Sequence, residues 1–389
     1  MCEQQSVNLR QISRSRAEQV GYYRFLENEA VSISELVRSL ARHCEQQVAG
    51  QHVLAISDSS EINLQAHAGR LKSEDIGLVG NHEEIGFYIH PTLVLNATTG
   101  FPLGIRSVQV WHRMPEQVDK RSRAYKQLAI EQKESYKWIK AAEASQPFLQ
   151  AGGATQVTYI GDREADIYEE WSTIPTERTH LLIRACQDRC LVGIGQRLFA
   201  TLSQQPCEGT YPFWLPGDER RGCKAREAWL AVRCCPVQLQ RPARLANSDY
   251  AESVALYAVE AREIQPPPGQ AAVYWRLLTT HPVACLEQAL QVIEWYRWRW
   301  RIEQLFAGLK QPGLQTEATQ LESGKAIQRL CVLALSVALR VLQLVEGRDD
   351  LTQPAQRVLS PEQQQCLEQI APRLSGSTVK QQPPICPIP

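Results

Sequence analysis

Apolar residues recur at three- and four-residue spacing through residues 15–50 and then crowd into short unbroken runs, so the period of the chain changes near residue 51. The first stretch predicts two short helices, with Ser32 or Ser34 as an N-cap. His52-Val53-Leu54-Ala55-Ile56 predicts a buried strand that ends at Ser57-Asp58. Two β-rich runs, 85–96 and 102–111, are joined by Ala97-Thr98-Thr99-Gly100, which suits a hairpin turn. A helical stretch over about 126–144 leads into a second short strand, 157–160, which ends in Gly161-Asp162. A third, Leu181-Leu182-Ile183, follows a short helix.

From about 191 to 283 the alternation is that of strands, with turn signals at 217–218 and in Pro266-Pro267-Pro268-Gly269. Two long helices, about 285–310 and 322–345, close the folded part. The tail beyond Gly347 is rich in Gln and Pro, and its last residues can be neither helix nor central strand.

With 389 residues, the chain is too long for one ordinary core. A hydrophobic share of 43% and a charged share of 22% fit a globular protein and exclude a disordered one. Lys plus Arg equals Asp plus Glu at 42 each, which argues against indiscriminate coating of nucleic acid but leaves local basic patches free to act. The polar opening residues have no secretory pattern, and the apolar run 330–339 is short and flanked by Arg329 and Arg340. A soluble cytoplasmic protein with no membrane span is expected. The 12 cysteines form no CxxC pair, so they read as reduced thiols and not as a zinc or disulfide framework.

Asp58 and Asp162 each stand directly after a short apolar strand. Side by side at a sheet's rim, two such carboxylates plus a third acid suffice for two divalent ions that share phosphate oxygens. Taken singly, each aspartate reads equally as a turn former or an N-cap. The third acid comes from the helix over 291–310. At roughly 100° per residue, Tyr296, Arg299, Glu303 and Lys310 fall within an arc of about 60°. Trp298, Ile302, Leu305 and Leu309 occupy a separate arc that should face the core. An acid between two cations and a phenol can complete a metal site beside a bound phosphodiester. The same face also fits a solvated surface laced by pairs such as Arg299 and Glu303.

The spacing Tyr296-x2-Arg299-x3-Glu303-x6-Lys310 resembles the Tyr-Arg-Glu-Lys signature of a group of bacterial insertion-sequence DDE transposases, the hairpin-forming cut-and-paste type. Asp162-Arg163-Glu164-Ala165-Asp166-Ile167 is similar to the segment bearing that family's second acid, and Ile56-Ser57-Asp58-Ser59-Ser60 to the segment bearing its first. The match runs from about 15 to about 382.

This resemblance implies an α/β fold with an RNase H-like mixed-sheet core, an inserted β-rich subdomain and flanking helices. The corresponding divisions are a helical DNA-recognition region over 1–50, core over 51–190, insertion over 191–283, core helices over 284–346 and tail over 347–389. It implies that Asp58, Asp162 and Glu303 hold two Mg²⁺ ions, or Mn²⁺ in their place. Tyr296, Arg299 and Lys310 would then bind transposon-end DNA, and the protein would cleave an end, form a hairpin and join the end to target DNA. Trp275 corresponds to an aromatic that stacks on a flipped base, and Trp300 to a second near it. Trp275 also reads as a core residue, because Tyr274 and Trp275 must face opposite sides of a strand.

Family members act as homodimers on paired ends and carry longer terminal regions. Only 57 residues precede Asp58 here, and the chain stops seven residues after Gln382, where the segment 376–382 resembles the family. A second reading is therefore a shortened relative that binds DNA or full-length subunits and blocks transposition. A third is an RNase H-like nuclease without strand transfer.

Overall fold

The computed structural model describes residues 6–72, 75–114, 128–193, 195–215, 217, 224–310, 313–348 and 353–374. Asp218, the start of the expected helix at 126–127, and the segment 376–382 lie outside them.

Three helices open the chain: α1 (Leu9–Ile12), α2 (Arg16–Glu27) and α3 (Ile33–Gln47). Ser15 and Ser32 cap α2 and α3, each accepting from the backbone N–H of a glutamate three residues on, so the first turns keep their donors satisfied. The strands β1 (His52–Ser57), β2 (Ser60–Asn63), β3 (Gly77–Val79), β4 (Glu84–Asn96) and β5 (Pro102–Trp111) follow. The β4–β5 turn is built as its sequence suggests. Asn96 accepts from the N–H groups of Thr98 and Thr99, and Gly100 adopts φ +69°. A Cβ on Gly100 would come within 2.8 Å of Trp298 and Arg301, so glycine also lets the hairpin pack against the segment that carries them.

Next come α4 (Tyr136–Ala151), β6 (Gln156–Gly161), α5 (Tyr168–Thr173), β7 (Thr179–Arg184) and α6 (Leu198–Ser203). The helix expected from about 126 begins later, because Ile130–Gln132 forms a 3-10 turn. Four further strands, β8 (Gly209–Leu215), β9 (Arg226–Gln240), β10 (Ser253–Glu263) and β11 (Tyr274–Thr279), precede α7 (Leu286–Trp298), α8 (Arg301–Leu309) and α9 (Gly324–Arg348). A last helix, α10 (Pro361–Leu374), lies within the tail.

Among the described residues the strands form one 11-stranded mixed sheet. Its path is β2-β4-β1-β6-β7-β11-β10-β9-β8, with β3 and β5 also on β4. Strands β1, β6 and β7 are parallel, and the other pairs are antiparallel. The β-rich block is thus an extension of the central sheet, joined where β11 pairs with β7. Backbone hydrogen bonds unsatisfied at the edge of β7 are met by β11.

The alternation of strand side chains feeds two cores. Leu54, Ile56, Ile160 and Leu182 face a cluster built with α2, α7, α8 and α9. Val53, Ala55, Val157, Tyr159, Leu181 and Ile183 face a second, built with α3, α4, α5 and α6. The protein is therefore mixed α/β, with helices on both faces of the sheet. Helix α9 is long and apolar enough to cross a membrane by length and composition, but 56% of its most apolar window is buried inside the fold. Every described cysteine is free.

The single helix expected over 285–310 is a correction. It is interrupted between α7 and α8, where Arg299, Trp300, Ile302 and Glu303 each donate backbone N–H to the residue three before. Such a tightened turn advances by about 120° per residue, so positions after it no longer follow the 100° wheel.

Candidate active site

The register of β1 on β6 pairs Ile56 with Ile160, so Asp58 and Asp162, each two residues further on, leave neighbouring parallel strands side by side. Gly161 lets the chain turn at once. A Cβ there would lie 2.3 Å from the Ala165 side chain, and Asp162 caps the 3-10 turn Arg163–Ala165 by accepting from Glu164 N–H at 2.8 Å. Asp58 Oδ1 accepts from Ser59 N–H at 2.7 Å, and its Oδ2 accepts from Arg299 Nη1 at 2.6 Å.

Arg299 is where the groups meet. Burial works against its charge, but Tyr296, Asp58, Asp162 and Glu303 together outweigh that, and the guanidinium is held more firmly charged than usual. Asp58 has the opposite balance. Burial pushes its carboxyl up, Arg299 opposes this, and the charges of Asp162 and Glu303 add to the push, leaving it at about 6. One guanidinium is thus set against three carboxylates.

Asp58, Asp162 and Lys310 line a cavity of about 400 Å³ together with Ser59, Tyr88, Trp111, Arg113, Lys137 and Glu164. Glu303, in the first turn of α8, is not on this wall; it acts on Asp58 and Arg299 through its charge. Lys310 caps the C-terminal end of α8 and reaches Glu317 at 3.5 Å. Among the described residues, no three His, Cys, Asp or Glu side chains are drawn together closely enough to enclose one ion. The chemistry of the set nevertheless suits a hard divalent cation. It offers carboxylate oxygens only, one of them on a buried group left under-neutralised.

Tyr296 departs from expectation. The wheel put its phenol on the polar face, but it is 6% exposed and belongs to the core. The tightened turn after α7 separates it from Glu303. Its phenol is pushed up by burial, while Arg299 and a hydrogen bond from Arg184 pull the other way.

Trp275 is half-buried, edge-on to Phe213 at 5.2 Å and to Tyr296 at 6.1 Å, while neighbouring Tyr274 donates to Glu260 at 2.6 Å. Trp300 stands 63% exposed at the break between α7 and α8.

Arg184 escaped the sequence reading. It ends β7 as Asp58 and Asp162 follow β1 and β6, and the same signal, a polar residue closing a short apolar run, marked it. It donates to Tyr274 O at 2.9 Å, and its charge acts on the Tyr296 phenol. Lys137, which meets Glu164 at 2.9 Å beside the cavity, carried no such mark. A search against known family models finds none that matches this chain.

Proposed function

We propose that the protein is a DDE-type transposase on an RNase H-like core, acting on double-stranded DNA in the bacterial cytoplasm. The observation that carries this reading is the paired exit of Asp58 and Asp162 from adjacent parallel strands, with Arg299 hydrogen-bonded to Asp58 and Glu303 near enough for its charge to act on both. The order β5-β4-β1-β6-β7, antiparallel up to β1 and parallel beyond it, supports an RNase H-like arrangement.

Asp58, Asp162 and Glu303 would hold Mg²⁺ or Mn²⁺. When bound, a pair of such ions supplies activation of the attacking oxygen and stabilisation of the leaving one. The chain's own residues do the rest. Lys310 puts a cation on the cavity wall for a phosphate oxygen, and Arg299 presents its guanidinium beside the same carboxylates. Tyr296, packed in the core, sets its ring 6.0 Å from the Arg299 guanidinium and carries the charges of Arg184 and Arg299 beside its phenol. Trp300 offers an exposed ring on which an extruded base can stack, with half-buried Trp275 as a second, held edge-on against the core residue Tyr296.

The test is cleavage and joining of linear duplexes carrying the DNA that flanks the coding sequence, with Mg²⁺, with Mn²⁺ and with chelator. Metal-dependent nicking, hairpin formation and joining are expected. Nicking without joining would reduce the protein to a nuclease, and binding with no chemistry would make it an inhibitor.

A further inference from the structure

The residues on either side of Asp58 are both tied to β4. Ser57 pairs with Thr92 in the β1–β4 ladder, and its hydroxyl lies 3.0 Å from that of Thr92, which in turn lies 2.8 Å from that of Ser107 on β5. Two residues back along β4, His90 is wholly buried, and its Nδ1 lies 3.0 Å from Ser59 Oγ. The backbone of Asp58 lies near enough to the same imidazole to favour its protonated form, against the burial that lowers it. Nε2 has no partner, so the ring's one hydrogen bond is the Nδ1 contact with Ser59. The ring is wedged edge-on between Trp138, at 4.9 Å, and Trp111, at 6.2 Å.

A buried imidazole with one silent nitrogen is a costly way to fill a core, since an apolar ring would pack there without an unsatisfied atom. What the imidazole adds is a directed ring nitrogen at the point where β1 ends and the carboxylate begins. The geometry points to His90 as a positioning residue for Asp58: through Nδ1 it holds the Ser59 hydroxyl, Ser59 N–H in turn donates to Asp58 Oδ1, and the pair sets the direction in which the Asp58 carboxylate faces Asp162 and the metal. The inference rests on the transposase reading above. His90 touches neither DNA nor ion; it acts through Asp58.

Replacement by Asn keeps an N–H near the place of Nδ1, Gln puts one near the place of Nε2, and Phe keeps the ring and removes both. Mn²⁺ binding to the full chain, followed by electron paramagnetic resonance, reads the site without requiring turnover. His90→Asn is expected within about threefold of the wild-type affinity, and His90→Gln and His90→Phe about 10- to 100-fold weaker. Cleavage by the weak variants should recover at high Mn²⁺. Thermal melting of His90→Phe at or above wild type shows that the loss is one of aim and not of folding. Equal Mn²⁺ affinity in all four proteins overturns the inference and leaves the metal site standing. A wild-type chain that binds no Mn²⁺ overturns the transposase reading, and His90's role with it.

Discussion

Nη1 of Arg299 lies 2.6 Å from Oδ2 of Asp58, although the two residues are 241 positions apart in the chain. This contact brings a helix break and a strand end to one point. It also sets the electrostatic state of the site, because the same guanidinium answers Asp162 and Glu303. Arg299 does not offset the combined push of burial, Asp162 and Glu303 on Asp58, and the properties expected below follow from that imbalance.

Asp58 takes up a proton at about 6 in the folded chain, against its ordinary value of 3.8. The folded state therefore binds the proton before the unfolded state does. Its contribution to stability is greatest below about pH 4, declines as pH rises to about 6, and stays at its lowest above that. A shift of about two units sets a ceiling of about 3 kcal/mol, reduced in a variant that also deprives Arg299 of a partner. Asp58→Asn should thus melt at or above the wild type at pH 7.5 while losing cleavage, with its advantage gone by pH 4. A variant that is less stable at pH 7.5 would mean that the Arg299 pair outweighs the cost of burial.

Glu303→Gln should abolish metal-dependent cleavage and largely spare DNA binding. The substitution keeps the size of the side chain and removes one of the two carboxylates that press on Asp58. Because Glu303 is half-buried on α8 and Gln matches its shape and helix propensity, folding should change little. Parallel gel-shift and cleavage assays decide this, and wild-type cleavage by the variant would return Glu303 to an ordinary helix-surface acid.

Lys310→Ala should weaken DNA binding and reduce its salt dependence by about one phosphate contact. Arg299→Ala should do the same and, in addition, shift Asp58 to a still higher proton affinity, since its neutralising partner is gone. The Arg299 variant should therefore need a higher pH than the Lys310 variant to bind Mn²⁺. Identical pH profiles for the two would show that Arg299 does not govern Asp58.

At the opposite end of the parallel strands, His52 and His281 both point Nε2 at Thr158 Oγ1, each at 2.7 Å, and His180 stacks on His281 at 3.9 Å. Burial first, and the neighbouring imidazoles second, lower His52 to about 4 and His281 to about 3. A base depressed in this way contributes stability that is fully present above about pH 6.5 and is lost as pH falls toward those values. Between pH 6.5 and 5 the loss should reach about 2 kcal/mol for each ring. Urea unfolding of His281→Phe should show a flatter acid limb than the wild type. This trend runs opposite to that of Asp58, so each variant must be compared with wild type at the same pH. An unchanged limb would mean that the cluster opens to solvent before it is protonated.

Much of the local structure was legible in the chain. Unbroken apolar runs marked β1, β6 and β7, and the Thr-Thr-Gly turn fixed the β4–β5 hairpin, because strand length, side-chain alternation and turn chemistry are properties of neighbouring residues. Asp58 and Asp162 stood out for the same reason, as polar residues that end apolar runs. The capping serines were equally local signals.

What the sequence determined by itself was therefore the elements and the polar residues at their ends; their meeting was decided by the tertiary structure. Nothing in residues 52–58 says that β6 is their parallel neighbour, in a register that sets Ile56 against Ile160. That choice is made by burial, since each strand has apolar side chains on both faces and must lie inside the sheet. The helix carrying Arg299 shows the same limit from the other side. Its sequence has one unbroken period, yet packing α7 and α8 against the sheet and α9 tightened the turn between them. Around that turn Tyr296 is buried, Trp300 is exposed and Arg299 meets Asp58. A repeating pattern fixes which face of a helix is apolar, but only the surface it packs against fixes where the helix must bend.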